Sequence, residues 1–435
     1  MEAFRKSKIL GIPMWIILIM TIIMMVASYL ELVPNNMIGA LALVLCLGGV
    51  IGELGDHIPV WKTWCGGGMM LAFFAAAAIG TYQLMPDSTI TVINDFTNVS
   101  GFLDMYIVIL ITGSVLSIER KFLLKSFAGF IPIIFGGVLC SFLLAGLAGL
   151  LLGKGALSPI MDIALPVMGG GNGGGAVPMS QIWAEATGGD STSWYASAFA
   201  TLMLGNLVSI LFGAVLNYIG IKFPKLSGNG QLMRATANDD SSLKDEYKPV
   251  LIDYVSGLTL AVVLYSLASL YSSKISIINN LNLGFTVHTF AFMVLFAAIL
   301  ALTGIIPKNV RAGAKGMQNF FSKYLSFPLM ICVGISTNLN DFLKVFASPS
   351  NIIIIILVVV GAVIGSGFVG HLLGFYFIES AVAGGLCMSN AGGSGDIAVL
   401  GASNRMEMIS YAQIASRIGG AFMLVIASII FGYFA

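Results

Sequence analysis

Residues 166–178 read Pro-Val-Met-Gly-Gly-Gly-Asn-Gly-Gly-Gly-Ala-Val-Pro, six glycines and an asparagine inside an otherwise apolar segment. Each glycine costs a helix about 1 kcal/mol relative to alanine, so no continuous helix is expected through this stretch. A second interruption, Cys-Met-Ser-Asn-Ala-Gly-Gly-Ser-Gly-Asp, lies at 387–396. Non-helical backbone at membrane depth is tolerated only where protein or a water-filled cavity satisfies its polar groups. We therefore interpret 158–186 and 380–402 as two re-entrant hairpins in a membrane protein.

The composition of the whole chain supports a membrane environment. Of the 435 residues, 57% are hydrophobic and 9% are charged, whereas soluble domains carry about 25% charged residues. This leaves too little polar surface for a soluble enzyme, and the composition does not fit a disordered protein or a disulfide scaffold either. The five cysteines are scattered without a CxxC pair. The sequence has no basic run that could follow a phosphate backbone, so nucleic acid is not expected as a partner. The apolar composition instead predicts a lipid bilayer as the partner.

Eleven stretches are apolar and long enough to cross a hydrocarbon layer about 30 Å thick, which takes about 20 residues. They lie near 13–31, 36–53, 66–84, 102–118, 127–152, 193–220, 251–271, 285–304, 322–338, 350–376 and 409–434. With a cytoplasmic N-terminus, seventeen of the 21 Lys and Arg residues fall in cytoplasmic segments, three fall outside, and Arg417 lies within a span. This distribution follows the positive-inside rule and predicts that the C-terminus lies outside.

Two parts of the chain repeat the same order of elements: two spans, a glycine-rich hairpin and one further span. Asn172 and Asn390 mark matching positions in the two hairpins, and the two copies begin on opposite sides of the membrane. Inverted repeats with broken helices indicate a secondary transporter whose site lies near the bilayer midplane. The predicted division is scaffold spans at 1–100, a first repeat at 101–221, a cytoplasmic linker at 222–250, scaffold spans at 251–321 and a second repeat at 322–435.

The two glycine-rich turns have the chemistry of a site for an organic anion and a cation. Glycine lets backbone N–H groups converge on an anion, and helix N-termini add a positive dipole end. Carbonyl, amide and hydroxyl oxygens suit a hard cation such as Na⁺. Close helix packing through small residues is the alternative for a single stretch of this kind. Two stretches at matching positions, each with an asparagine, favour a binding site.

Arg417 is the one basic residue placed well inside an apolar span, away from its ends. An arginine near the bilayer centre costs about 2.5–3.5 kcal/mol on insertion scales. Its planar fork can bind a substrate carboxylate bidentately, and a snorkelling or ion-paired arginine is the structural alternative. Asp396 follows the second turn, where it could contact Ser416, stabilise the hairpin or help to bind a cation. Glu379, at the start of the second hairpin, is expected to be an interfacial capping residue.

An enzyme-class alternative comes from Gly393-Ser394-Gly395-Asp396, which matches the GxGD motif of aspartyl intramembrane proteases. Such proteases need two carboxylates that share the acid and base roles. The second carboxylate normally lies in a Tyr-Asp pair, and the sequence contains none. The protease is therefore a distant alternative, and the chain is not expected to be an enzyme. A passive channel or sensor is a further alternative, which saturable counterflow of substrate would exclude.

The motifs at 169–178, 385–396 and 403–420 closely resemble those of the bacterial 2-hydroxycarboxylate transporter family. The resemblance implies an all-α polytopic protein of the bacterial cell membrane with eleven spans, two re-entrant hairpins and two inverted repeats. It also implies an elevator mechanism, a homodimer formed through scaffold spans, and transport of citrate, malate or related acids. Transport in such proteins is coupled to Na⁺ or H⁺, or it exchanges a precursor for its product. The resemblance implies no cofactor.

The resemblance also assigns roles to individual residues. It places the substrate at Asn172, Gly173, Gly393, Ser394 and Arg417. In sodium-coupled members, the positions around the cations match Val167, Gly170, Asn172, Cys387, Met388, Asn390, Ser394 and Ser416. The chain departs from the citrate carriers at Ala391, where they have arginine in Asn-Arg-Gly-Gly-Ser-Gly. Without the positive charge of that arginine, the site should bind a tricarboxylate more weakly, so we predict a malate-preferring carrier.

Overall fold

The computed structural model describes residues 8–59, 67–116, 120–234, 247–275 and 288–434, without the side chains of 120–128, 274, 275, 341, 342, 394, 407 and 410. This part of the chain is predominantly helical, with one short antiparallel strand pair, Lys8–Ile9 and Ile12–Pro13. The predicted all-helical class is therefore confirmed.

Six described helices are long and apolar enough to cross a membrane, or seven if the bent pair Asp87–Val99 and Phe102–Leu116 forms one span. The six are Met37–His57, Gly129–Leu151, Ser191–Lys222, Leu251–Ser273, Pro349–Leu372 and Tyr411–Phe434. Shorter apolar helices occupy four other predicted spans, at Met14–Tyr29, Gly67–Thr81, Thr289–Thr303 and Ser326–Ile335. The count of eleven spans stays a prediction.

The contacts divide the chain into two units. The first comprises Met1–Ile107 and Asn319–Lys344, and the second comprises Val108–Gln318 and Val345–Ala435. Within the first unit, Ser326–Ile335 packs on Met37–His57 and Gly67–Thr81. A Cβ on Gly80 would lie 2.0 Å from the carbonyl oxygen of Ile335, so the two backbones are in direct contact. The division into repeats and scaffold spans stays a prediction.

The second unit is built on the long helix Arg120–Leu151, which packs along Pro349–Leu372. Small residues allow this close packing: a Cβ on Gly365 would lie 2.1 Å from the carbonyl oxygen of Gly136. The Ser141 hydroxyl donates to the carbonyl oxygen of Val358 at 2.7 Å. The span Leu251–Ser273 begins with the α-helix Leu251–Leu270, and Lys308–Tyr324 and Leu339–Ala347 are further helices of the chain.

Two broken helices in the second unit contain the glycine-rich stretches. The first consists of Leu157–Pro159, Ile160–Ala164, Leu165–Val167, a turn, Asn172–Ala176 and Val177–Thr187. The second consists of Phe377–Ser380, Ala381–Leu386, a turn and Gly393–Ala402. The C-terminal helix runs through Ile409–Ile414, the π-helical segment Ala415–Gly419 and Gly420–Phe434. The glycine runs interrupt the helices where the sequence predicts, and their re-entrant path across a membrane stays a prediction.

Candidate functional site

Each glycine-rich turn ends at the N-terminus of a helical segment capped by glycine. Gly171 precedes Asn172–Ala176 with φ 122°, and Gly392 precedes Gly393–Ala402 with φ 80°. Residues with a Cβ rarely adopt such angles, so glycine is required at both positions. Because glycine has no side chain, neither capping residue makes a side-chain hydrogen bond to its helix. The first N–H groups of a helix have no partner within the helix, and together with the dipole they favour a bound anion.

The two turns and the C-terminal helix meet at one place. A Cβ on Gly171 would lie 3.0 Å from the Cα of Gly392, so the two turns touch. A Cβ on Gly170 would lie 2.2 Å from the carbonyl oxygen of Ser416. The structure thus brings both helix N-termini beside the π-helical segment Ala415–Gly419. Such segments within α-helices are frequent at functional sites.

The predicted substrate residues differ in exposure at this meeting point. Gly393 is exposed, and Gly173 and Arg417 are partly exposed, whereas Asn172 is buried. A Cβ on Gly393 would have no atom within 4 Å. Arg417 lies close enough to Asp396 for an electrostatic interaction. The side chain of Ser394, also predicted to bind substrate, lies outside the part of the chain that the structure describes.

Asp396 is the centre of a buried polar network. Its side chain is 1% exposed. Asn390 Nδ2 donates to Asp396 Oδ1 at 3.0 Å, and the Ser416 hydroxyl donates to Oδ2 at 2.9 Å. The contact with Ser416, one of the roles open to Asp396 from the sequence, is therefore present. Asn390 Oδ1 in turn accepts the N–H of Gly392 at 2.7 Å. The carboxylate thus fixes the second turn from within, whether or not it also binds a cation.

The predicted cation residues cluster around the same two turns. The buried ones are Val167, Asn172, Cys387, Met388, Asn390 and Ser416. Gly170 lies on the first turn, and the described residues include no group of three or more His, Cys, Asp and Glu that could hold a metal ion. A hard cation would have to be bound by carbonyl, amide and hydroxyl oxygens, which are the ligands that alkali and alkaline-earth ions prefer.

The residues that hold the turns in place are not among those predicted from the sequence. The Tyr195 hydroxyl donates to Asn172 Oδ1 at 2.8 Å. Asn206 Oδ1 accepts the N–H of Ala391 at 3.1 Å, and the Ser209 hydroxyl donates to the carbonyl oxygen of Ser389 at 2.8 Å. All three belong to Ser191–Lys222. Polar side chains within an apolar span are a signal for such roles, and that signal was available in the sequence.

The asparagines of the two turns are not equivalent in position. Asn172 is the first residue of its helical segment, directly after the capping glycine. Asn390 lies two residues before the capping Gly392 and donates to a carboxylate. The match between the two asparagines therefore holds for the order of elements and not for local geometry.

Glu379 has a different environment from that of the expected capping residue. It is fully buried and accepts hydrogen bonds from Arg405 Nε at 2.9 Å and from the Ser227 hydroxyl at 3.0 Å. The N–H groups of Gly228 and Gly230 also donate to its carboxylate. The predicted capping role is wrong, because the partners of Glu379 come from 227–230 and from Arg405, which are distant from it in the sequence. An interfacial position stays a prediction.

Comparisons with known proteins cover nearly the whole chain, including both turns. A model of the 2-hydroxycarboxylate transporter family matches residues 9–429. The chain is 38% identical over 431 residues to the citrate/sodium symporter of Salmonella typhimurium, covering 98% of this chain and 95% of that protein. It is 31% identical over 425 residues to the citrate transporter CitP of Leuconostoc mesenteroides, covering 98% and 94%. It is 32% identical over 424 residues to the citrate/malate-proton symporter of Bacillus subtilis, covering 96% and 90%.

Proposed function

Because the chain belongs to the 2-hydroxycarboxylate transporter family, we propose that it is a symporter of 2-hydroxy di- and tricarboxylates that prefers malate to citrate. Membership of this family makes it a membrane transporter and not an enzyme. The relatives include symporters named for sodium and for the proton, so either ion is a candidate for coupling.

The observation that carries the proposal is the pair of glycine-capped helix N-termini beside the segment that contains Arg417. Two N-termini and one guanidinium supply positive potential for two carboxylates, which is the number that malate carries. Citrate has a third carboxylate, and Ala391 offers it no charge. In the proposed site, Asn172, Gly173, Gly393, Ser394 and Arg417 bind the substrate. The oxygen-rich positions behind the turns bind the coupling cation.

The family membership also supports a proposed architecture and transport cycle. We propose eleven spans and two re-entrant hairpins in two inverted repeats, in the membrane of a bacterial cell. The N-terminus is cytoplasmic and the C-terminus lies outside, as the distribution of Lys and Arg predicts. The substrate-holding part moves as an elevator against scaffold spans that form a homodimer.

Uptake into proteoliposomes tests the substrate preference. We expect labelled malate to accumulate with a lower KM than labelled citrate, because the site provides charge for two carboxylates. Empty liposomes give the background, and excess unlabelled malate must compete with the label. Citrate transported much better than malate would contradict the preference and leave the family assignment intact.

The coupling ion is tested separately with defined gradients. A Na⁺ gradient at equal pH and a pH gradient without Na⁺ are imposed on the same vesicles. Symport requires one of the two gradients to drive accumulation of malate. Uptake that depends on a second carboxylate inside the vesicles, and on neither gradient, would indicate exchange instead.

The variant Ala391→Arg is expected to raise the affinity for citrate. A hydrogen bond to a charged group is worth about 1.5–3 kcal/mol, which corresponds to a citrate KM roughly ten- to a hundredfold lower. Ala391→Gln is the matched control, because it adds a long polar side chain without charge and should leave the citrate KM high. Equal citrate KM values for the two variants would remove position 391 from substrate selection.

A further inference from the structure

One face of the helix Ser191–Lys222 contacts both glycine-rich turns. Tyr195, Asn206 and Ser209 all lie on this helix. At 3.6 residues per turn, their spacing places the three side chains within roughly 60° of one another around the helix axis. Tyr195 reaches the first turn, and Asn206 and Ser209 reach the second. One rigid element therefore sets the position of both helix N-termini.

Tyr195 fixes the orientation of the Asn172 amide. Its hydroxyl donates to Asn172 Oδ1 at 2.8 Å. The amide oxygen therefore points to the phenol, and the amide nitrogen points away from it. Tyr195 is itself held rigidly, because it is buried and stacked on Phe199 with ring centroids 5.5 Å apart. In an amide fixed in this way, the N–H donors, which are the groups that a carboxylate requires, lie on the side opposite the phenol.

Asn206 fixes the backbone at the selectivity position. Its Oδ1 accepts the N–H of Ala391 at 3.1 Å, and a Cβ on Gly395 would lie 2.7 Å from the same oxygen. Ser209 holds the preceding residues through the carbonyl oxygen and hydroxyl of Ser389. The second turn is thereby tied to the helix on both sides of Asn390, and residue 391 cannot shift without breaking a hydrogen bond.

We propose that Tyr195 and Asn206 are positioning residues for the substrate site, one for each turn. Tyr195 sets affinity by orienting Asn172, and Asn206 sets selectivity by holding residue 391 and the following N-terminus at a fixed distance from the substrate. This inference rests on the proposed function as a malate-preferring symporter. It adds two residues that act on the substrate only through Asn172 and Ala391.

The test compares Tyr195→Phe and Asn206→Leu with the matched control Thr201→Val in proteoliposomes. Thr201 is buried on the same helix, and its hydroxyl donates to Ala198 within that helix. Losing a hydrogen bond worth about 0.5–1.5 kcal/mol predicts a malate KM roughly two- to tenfold higher for Tyr195→Phe, with the maximal rate nearly kept. Asn206→Leu should raise the malate KM and also reduce the ratio of malate to citrate uptake, because the freed turn no longer holds a fixed position. Thr201→Val should retain the wild-type KM.

A merely structural role gives a different result. It would lower the thermal midpoint and the maximal rate of the variants without changing the malate KM or the malate-to-citrate ratio, and this outcome would overturn the inference. Tyr195→Phe keeps the ring and its stacking, so it tests the inference even if Asn206→Leu does not fold. Wild-type vesicles that transport neither malate nor citrate would refute the proposed function itself, which separates the two failures.

Discussion

Replacing Arg417 by alanine is expected to reduce malate uptake to the background of empty liposomes while the protein remains folded. Arg417 lies in the π-helical segment Ala415–Gly419, beside the contact between the two turns. In the proposed site, it is the one side chain with a formal positive charge. Truncating one partner of a buried, hydrogen-bonded charge pair costs about 2–5 kcal/mol, which weakens affinity roughly 30- to several-thousandfold.

Two further variants separate the loss of charge from a loss of folding. Arg417→Lys keeps the charge and removes the planar fork, so we expect residual uptake with a raised malate KM. Arg417→Ala leaves the negative charge of Asp396 without its neighbouring guanidinium. The double variant Arg417→Ala with Asp396→Asn also removes that negative charge. Size-exclusion profiles and thermal midpoints of the purified proteins report folding. Malate uptake by Arg417→Ala with the wild-type KM would remove Arg417 from the site.

The parts of the site that the sequence predicts are those that break the rules of an apolar helix. Arg417 is a charge within a span, and the glycine runs cannot continue a helix, so both are visible without a structure. The structure brings them together: the two turns touch at Gly171 and Gly392, and the backbone of Ser416 packs against Gly170. Local composition was sufficient here because each exceptional residue has a direct physical cost in a membrane.

The supporting residues could not be assigned in the same way. Asn206 and Tyr195 are polar side chains in a long apolar helix, which marks them as candidates, but only the packing shows that Asn206 contacts Ala391 and Tyr195 contacts Asn172. The Glu379–Arg405 pair joins the helical segment Phe377–Ser380, the connection after Gly393–Ala402 and the loop at 227–230. Such partners depend on tertiary contacts between distant residues, which the hydropathy pattern does not encode.

The Glu379–Arg405 pair provides the prediction with the largest effect on stability. Glu379 is 0% exposed and Arg405 is 2% exposed, and Arg405 also donates to Asn217 at 3.2 Å and to Ser227 at 2.8 Å. Glu379→Ala leaves the buried guanidinium without its carboxylate partner, and the partly buried N–H groups of Gly228 and Gly230 lose the same acceptor. Breaking a buried pair by removing one partner costs about 3–5 kcal/mol, so we expect a large fall in the thermal midpoint of the detergent-purified protein.

The matched control is Glu53→Ala, since Glu53 is partly exposed and lies 3.6 Å from the exposed side chain of His57. Exposed pairs contribute about 0–1 kcal/mol, so the same substitution at Glu53 should leave the midpoint nearly unchanged. Removing both charges with Glu379→Leu and Arg405→Met should recover part of the loss, because no charge is then left unpaired. The double variant that exchanges the two residues should not recover the lost stability. The N–H groups of Gly228 and Gly230 would then face a guanidinium, which has no acceptor. A midpoint for Glu379→Ala equal to that of Glu53→Ala would contradict the assignment, because a partly exposed carboxylate and a fully buried one would then have the same effect on stability.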